Sequence, residues 1–308
     1  ADYIVAVNKG EEGVTPPITL YVEQQLQVEE YENGTALIQL PWEYKMVAID
    51  GETQLAARHE AVNIHPETMH EFVPVYICHG VDLVWARQAF HDLNALGVKP
   101  NAALSLGMDA RDPVTRIARQ VERQVDFFTG RVNKVRRQLR SSDPHVVTIT
   151  ALRTACVTFA KGINGVQYGA RPVPVGEHDI PQIEAAAIDW FGAVADSIGP
   201  AIEDRSTNLA STPAVLAAIG AVGYPLTGIS DESDRRAHAS RLASTLREVD
   251  WSRGANWAGI AGKMNPKGIV SVGGAKENAY AVYSALTVPG QASYNLVRPN
   301  VQPPSAAE

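Results

Sequence analysis

Short β-prone runs separated by glycine, proline and asparagine fill the first 80 residues. Ile4–Val7, Ile18–Val22, Ala36–Leu40 and Lys45–Ile49 each read as a strand. Val73–Cys78 is a further candidate, and Pro74 puts it at a sheet edge or a strand start. Beyond residue 80 the apolar period lengthens to that of helices. Asp82 is placed to cap a helix whose apolar stripe is Leu83, Ala86, Phe90 and Leu93. Asp112–Pro113 opens the next, with Val114, Ile117, Val121, Val125 and Phe128 on its inner face. Val132, Val135 and Leu139 recur at helical spacing after it.

The pattern continues to the end of the chain. Ile149, Leu152, Cys156 and Phe159 line a helix that Gly162 ends. Ile183, Ala187, Trp190 and Val194 line another, expected to stop at Gly199–Pro200. Thr212–Pro213 opens one that Gly223–Tyr224–Pro225 closes. Ala239, Leu242, Leu246 and Val249, then Ala279, Val282, Tyr283 and Leu286, mark two more. The order predicts an α+β chain: a small mixed core over residues 1–145, a helical region over 146–298, and a disordered tail over 299–308. No internal repeat is present.

Composition narrows the class. The 308 residues are 45% hydrophobic and 20% charged, typical of a chain that buries a core, and the net charge is -7. That balance disfavours a protein built throughout to coat nucleic acid or an anionic membrane, while leaving room for a local basic patch. The two cysteines, Cys78 and Cys156, form no Cys-x-x-Cys, which argues against a disulfide scaffold or zinc ribbon and suits a reducing, cytoplasmic setting. No apolar run is long enough to span a bilayer. Ala1, with no basic or apolar leader behind it, reads as a trimmed start rather than a signal peptide.

The candidate chemistry centres on one turn. A β-prone run ends at Ile49, Asp50–Gly51 turns the chain, and Gln54–Asn63 reads as a helix. A helix N-terminus presented this way carries free N–H groups and partial positive charge, and can hold a phosphate. Gly51 allows close backbone approach. Gln54 and Arg58 share a helix face, and the guanidinium of Arg58 can clamp an anion. The same residues have a purely structural reading, with Asp50 as cap, Gly51 as turn and Arg58 solvated.

The stretch Ala48-Ile49-Asp50-Gly51-Glu52-Thr53-Gln54-Leu55-Ala56-Ala57 resembles the Asp-Gly-Gln-His-Arg motif of DGQHR-domain proteins, which include the DndB family associated with DNA phosphorothioation. Asp50 and Gly51 match, while Glu52, Thr53 and Gln54 stand where the motif has Gln, His and Arg. Ala86–Asn94, Lys99–Pro100 and Asp109–Pro113 are similar to the pattern that follows the motif, so the resemblance covers about residues 36–165. It implies a ParB/sulfiredoxin-like N-terminal domain and a role in DNA modification, as a regulator or accessory protein. It also implies a nucleotide, ATP or CTP with Mg²⁺, at the Asp50 turn, held by Asp50, Gly51, Glu52, Thr53, Gln54, Arg58, Arg87 and Asn94. Sulfiredoxin chemistry needs a cysteine in the turn, and this turn has none.

Other positions carry weaker signals. Arg87, His91 and Asn94 fall on one helix face opposite the apolar stripe, where a solvated face is the alternative. Asp109 and Asp112 flank Arg111 and are candidate Mg²⁺ ligands, with Asp112 alternatively a helix cap. Arg131, Lys134, Arg136, Arg137 and Arg140 cluster on a predicted helix, with Arg116, Arg119 and Arg123 before them, and form a candidate DNA-backbone patch. Gly262–Lys263 and Gly273-Gly274-Ala275-Lys276 are glycine-rich but do not fit a P-loop. No His-Glu-x-x-His or Gly-x-Ser-x-Gly occurs.

The leading expectation is a DndB-like, DNA-binding or regulatory protein with a nucleotide as ligand or switch. Its partners would be DNA and other DNA-modification proteins, without a membrane, and a homo-oligomer is compatible. The rivals are an NTPase, with Asp50 and Glu52 as catalytic carboxylates and Glu52 orienting water, and a non-catalytic protein–protein adaptor.

Overall fold

A computed structural model describes residues 1–95, 112–136, 138–140 and 143–300. The chain is mixed α+β and divides into two compact units, Ala1–Lys99 and Pro100–Glu308. Among the described residues no helix is long and apolar enough to cross a membrane.

The N-terminal unit is built on a three-stranded sheet. Its centre is β1 (Ile18–Val22), flanked by β4 (Val47–Asp50) antiparallel and β5 (Val75–His79) parallel. Strands β2 (Val28–Glu30) and β3 (Ala36–Ile38) form a separate exposed hairpin. Helix α2 (Glu52–Ile64) follows β4, and α3 (Leu83–Ala95) follows β5.

Two expectations for this unit fail. Ile4–Val7 is not a strand but part of helix α1 (Asp2–Asn8). Ile4 and Val5 pack on Ala61 of α2, and that tertiary contact overrides the β propensity of the run. Asp82 does cap α3, its Oδ1 accepting the Trp85 N–H at 2.8 Å. Of the expected stripe, however, only Ala86 is buried, against Tyr21 and Ile49, while Leu83, Phe90 and Leu93 are exposed. The helix seats its small face on the sheet.

The C-terminal unit is a helical assembly. It comprises α4 (Pro113–Gln124), α5 (Ile149–Lys161), α6 (Ile180–Glu203), α7 (Pro213–Val222), α8 (Glu232–Ser244), α9 (Ala275–Thr287) and the short α10 (Ala292–Leu296). The two-residue pair β6 (Val132–Asn133) and β7 (Val147–Thr148) and the hairpin β8 (Gly262–Met264) and β9 (Val270–Val272) complete it. Pro113–Gln124, placed by sequence with the N-terminal part, packs on α5 and α6 and belongs to this unit.

The predicted inner-face residues Ile117, Phe128, Leu152, Phe159, Trp190 and Val194 share one core, and Phe191 and Ile219, not read from the sequence, join it. Each such side chain contributes about 1.5–3 kcal/mol relative to exposure. Helices α5 and α7 approach so closely at Gly220 that a Cβ there would lie 2.1 Å from the Ala155 carbonyl oxygen. Thr158 on the same face donates its hydroxyl to the Ala217 carbonyl at 2.6 Å. Trp190 donates Nε1 to the Ile219 carbonyl at 3.2 Å and covers Gly223.

Helix α6 does not stop at Gly199–Pro200. It kinks at Ile198 (φ −134°, ψ 17°) and runs on to Glu203, because Pro200 lacks the N–H of the helical ladder and bends it without ending it. At the far end, Arg298 donates to the carbonyls of Ala285 (3.0 Å) and Leu286 (3.1 Å) and lies 3.8 Å over the Tyr294 ring. It thereby satisfies the last turn of α9. Most of the expected tail, residues 301–308, lies outside the described residues.

Candidate functional site

Strand β4 ends at Asp50, and Gly51 turns the chain with φ 90°, a left-handed conformation that favours glycine. The space is also tight, since a Cβ on Gly51 would lie 3.3 Å from the Ile18 Cα. Helix α2 then starts at Glu52 with no side-chain cap. Asp50 is not the cap: its Oδ1 accepts the N–H of Gly51 at 3.0 Å. The amides of the first turn, Glu52, Thr53 and Gln54, therefore stay available to a ligand.

These residues face a cavity of about 550 Å³ within the N-terminal unit. Tyr3, Val14, Pro16 and Phe90 supply apolar walls, and Thr15, Asp50, Glu52, Thr53, Gln54 and Asn94 supply polar ones. Tyr3 is held in place, its hydroxyl donating to the Val14 carbonyl (3.0 Å) and accepting the Val14 N–H (2.9 Å). Asn94 donates Nδ2 to the Phe90 carbonyl at 2.9 Å. The buried Nε2 of Gln54 has no partner in the structure, a donor left for a bound molecule.

The remaining expected residues of this site stand elsewhere. Arg58 does not itself line the cavity: it donates to Glu71 at 2.7 Å and to the hydroxyl of the wall residue Thr15 at 2.8 Å, with its side chain only 12% exposed. Two of its nitrogens are thus engaged within the fold, and its buried Nε has no partner. Arg87 is exposed and does not line the cavity. His91 pairs with its neighbour Asp92 at 3.3 Å. Among the described residues no lysine, arginine or histidine lines the cavity, whereas Asp50 and Glu52 both do. A bare phosphate there would meet two carboxylates, and a bridging divalent cation would reverse that balance.

Sequence reasoning located the turn but missed Tyr3, Val14, Thr15 and Pro16, which come from far along the chain and carry no local signal. The same holds for Glu71, whose bond to Arg58 joins α2 to the residue following the 3₁₀ turn Pro66–His70.

The basic cluster is not a helix. Gly130 turns the chain at φ 70°, and Val132–Asn133 pairs as a strand with Val147–Thr148. The Asn133 Oδ1 then accepts the N–H groups of Val135 (3.0 Å) and Arg136 (2.7 Å), making a turn where the spacing predicts a helix. Val135 is 60% exposed rather than inward. Arg131 pairs with Glu203 (2.7 Å), Lys134 with Glu122 (2.8 Å) and Arg136 with Asp143 (3.5 Å). Arg140 is exposed, and Arg137 lies outside the described residues.

Asp112 is a cap and a structural ion-pair partner rather than a metal ligand. Its carboxylate is buried, accepts from Thr115 and Val173, and pairs with Arg153 at 2.8 Å. Asp109 lies outside the described residues. Among the described residues no group of three or more His, Cys, Asp and Glu is arranged to hold a metal. The glycine-rich stretches are structural: Gly262 and Lys263 lie in β8, and Gly274 precedes α9. Trp251 and Trp257 stack, with centroids 5.7 Å apart.

No curated protein and no solved structure matches the chain. A family model does, over residues 1–286, and its description is DNA-sulfur modification-associated. A match that spans both compact units, and includes the Asp50 turn, shows the family: the chain belongs to the DndB family of DNA-sulfur modification-associated proteins.

Proposed function

We propose that this protein serves a DNA-sulfur modification system as a DNA-binding regulator, with a Mg²⁺-bound nucleotide as the ligand of the Asp50 turn. The observation that carries the reading is the uncapped start of α2 opening into a 550 Å³ cavity with apolar walls at Tyr3 and Phe90. The amides of Glu52, Thr53 and Gln54 suit phosphate oxygens, and the apolar walls suit a base. Asp50 and Glu52 supply hard oxygen ligands for the cation, which makes the site dependent on Mg²⁺.

DNA contact falls to the exposed basic groups of the C-terminal unit. The pairs Lys134–Glu122 and Arg136–Asp143 have cationic partners 57% and 46% exposed, so backbone phosphates can compete for the cations. Arg140 adds a further exposed charge.

Calorimetric titration with ATP, CTP and GTP, each with and without Mg²⁺, tests the reading. Mg²⁺-dependent binding of one nucleotide, weakened tenfold or more in Glu52→Gln, is the expected result. No binding of any of the three removes the nucleotide. DNA affinity is tested separately by anisotropy against salt, where neutralising Arg136 and Arg140 together should lower the salt slope by about 2. A second reading, an NTPase, is supported by the exposed Glu52 carboxylate at the helix start; it requires phosphate release that Glu52→Gln abolishes. The adaptor reading is supported by the exposed Val84, Trp85 and Phe90 of α3.

A further inference from the structure

A second cavity, of about 310 Å³, lies within the helical unit and has the opposite charge character. It is lined by Thr148 at the start of α5, by Ser211, Thr212 and Pro213 at the start of α7, and by Arg205 and Arg253. Among the described residues none that lines it is acidic. Among the described residues the cavity at the Asp50 turn has two carboxylates and no cation, and this one has two guanidiniums and no carboxylate.

Arg205 also lines a small neighbouring cavity with Asp143, Glu203 and Asp204, but its guanidinium and that of Arg253 are held by backbone carbonyls. Arg205 donates to the backbone carbonyls of Arg140 (2.9 Å) and Asp143 (2.7 Å), and Arg253 to the carbonyl of Arg205 (3.2 Å). Among the described residues neither forms an ion pair, although most of the other buried or half-buried arginines do. Burial holds the Arg253 guanidinium below its ordinary pKa, with no compensating carboxylate, yet an arginine remains charged at neutral pH. Taking a cation partly out of water without a counter-ion is unfavourable, and an anion in the cavity would offset that cost.

The backbone is positioned before any ligand arrives. Arg253 sits between two hydrogen bonds, its N–H to the Thr207 carbonyl (2.9 Å) and its carbonyl from the Val270 N–H (3.1 Å), while Leu209 N–H bonds Trp251 (3.0 Å). At the start of α7 the Thr212 hydroxyl donates to the Leu209 carbonyl at 2.7 Å and does not cap the helix. Pro213 has no N–H, so the open amides of that turn belong to Ala214 and Val215. Helix α5, by contrast, is capped by Thr148, whose Oγ1 accepts from Ala151 at 3.2 Å.

We propose that this cavity binds the phosphate group of a phosphate ester, held by Arg205 and Arg253 at the open start of α7, with Ser211 as a hydroxyl partner. A volume of about 310 Å³ equals roughly ten waters of liquid, room for a phosphate and part of the sugar it esterifies. The nucleotide and the DNA backbone share this chemistry. The site does not depend on the reading of the Asp50 turn.

The test is calorimetry on the full chain with three probes: inorganic phosphate, adenosine monophosphate and a mixed-sequence duplex. Arg253→Gln and Ser211→Ala are compared, without Mg²⁺, on which the Asp50 site depends, with thermal melting as the check on folding. Expected is binding of at least one probe, weakened tenfold or more in Arg253→Gln and about threefold in Ser211→Ala. Tighter binding of the monophosphate than of phosphate identifies a nucleotide, and tighter, salt-dependent binding of the duplex identifies the DNA backbone. No binding of any probe overturns the proposal, as does binding indifferent to Arg253→Gln in a folded protein. Should Arg253→Gln unfold the chain, Ser211→Ala decides, and unchanged affinity in it overturns the site.

Discussion

Arg153 donates Nε to the Asp112 carboxylate at 2.8 Å, with both side chains 1% exposed. The same guanidinium donates to the carbonyls of Gly169 (2.8 Å) and Arg171 (2.9 Å). One side chain on α5 thus fixes the start of α4 and the loop after the 3₁₀ turn Ile163–Tyr168. Arg153→Met should remove the guanidinium from the buried Asp112 carboxylate and lower stability by about 3–5 kcal/mol. Urea unfolding measures this, and a loss under 1 kcal/mol (about) would show that the pair is dispensable.

Acid should weaken the helical unit through the same pair. Burial by itself raises the Asp112 pKa, but the hydrogen bonds from Arg153 and Thr115 and the Arg153 charge outweigh it, leaving the pKa below the ordinary 3.8. A depressed carboxylate contributes stability that is complete above the unfolded value and is lost as pH falls through the folded one. Melting temperature should therefore drop below about pH 3.8, and Asp112→Asn should start lower and show less of that drop. Parallel acid profiles of parent and variant would refute this.

Arg58 and Glu71 should behave as a structural couple. With partners 12% and 22% exposed and 2.7 Å apart, each single substitution, Arg58→Met or Glu71→Gln, should lower the stability of the N-terminal unit. A double-mutant cycle should return a coupling of about 0.5–3 kcal/mol. Zero coupling would return Arg58 to the role of a free cation beside the turn.

Alanine at Gly51 and at Gly220 should both destabilise, for different reasons. At Gly51 the left-handed backbone costs an L-residue about 1–2 kcal/mol, and the Ile18 contact adds to it. At Gly220 the backbone is helical and alanine would be favoured there, but its Cβ would collide with the Ala155 carbonyl. Forcing α5 and α7 apart costs about 1–3 kcal/mol. Hydrogen exchange should locate the first effect in the N-terminal unit and the second in the helical one.

How far the sequence reveals this architecture depends on how local the cause is. The inner faces of α4, α6, α8 and α9 are written in apolar spacing, because each packs a stripe into the core, whereas α7 is buried on all sides and shows only its start and end; Asp112–Pro113 and Thr212–Pro213 announce two starts correctly. Ile4–Val7 misleads because three of its four residues are β-branched or strand-prone while its fate is set by Ala61, far along the chain. Val132, Val135 and Leu139 have helical spacing by coincidence; Gly130 and the Asn133 turn decide the conformation. The turn at Asp50 was legible as strand, glycine and helix. That Arg58 is bound to Glu71, and that Tyr3 walls the cavity, were not, since both depend on residues brought together only by folding.

The placement of the two cysteines has a practical consequence. Both are free, one in each compact unit: Cys78 partly exposed on β5, Cys156 fully buried in α5, its thiol pushed far up by burial. A thiol so protonated and enclosed reacts with alkylating reagents only when its surroundings open. The rate at which Cys156 is labelled under native conditions thus times the opening of the helical core, while the partly exposed Cys78 needs no such opening and serves as an internal reference for the reagent. The chain carries its own clock for the stability of its helical part, readable by mass without adding a probe.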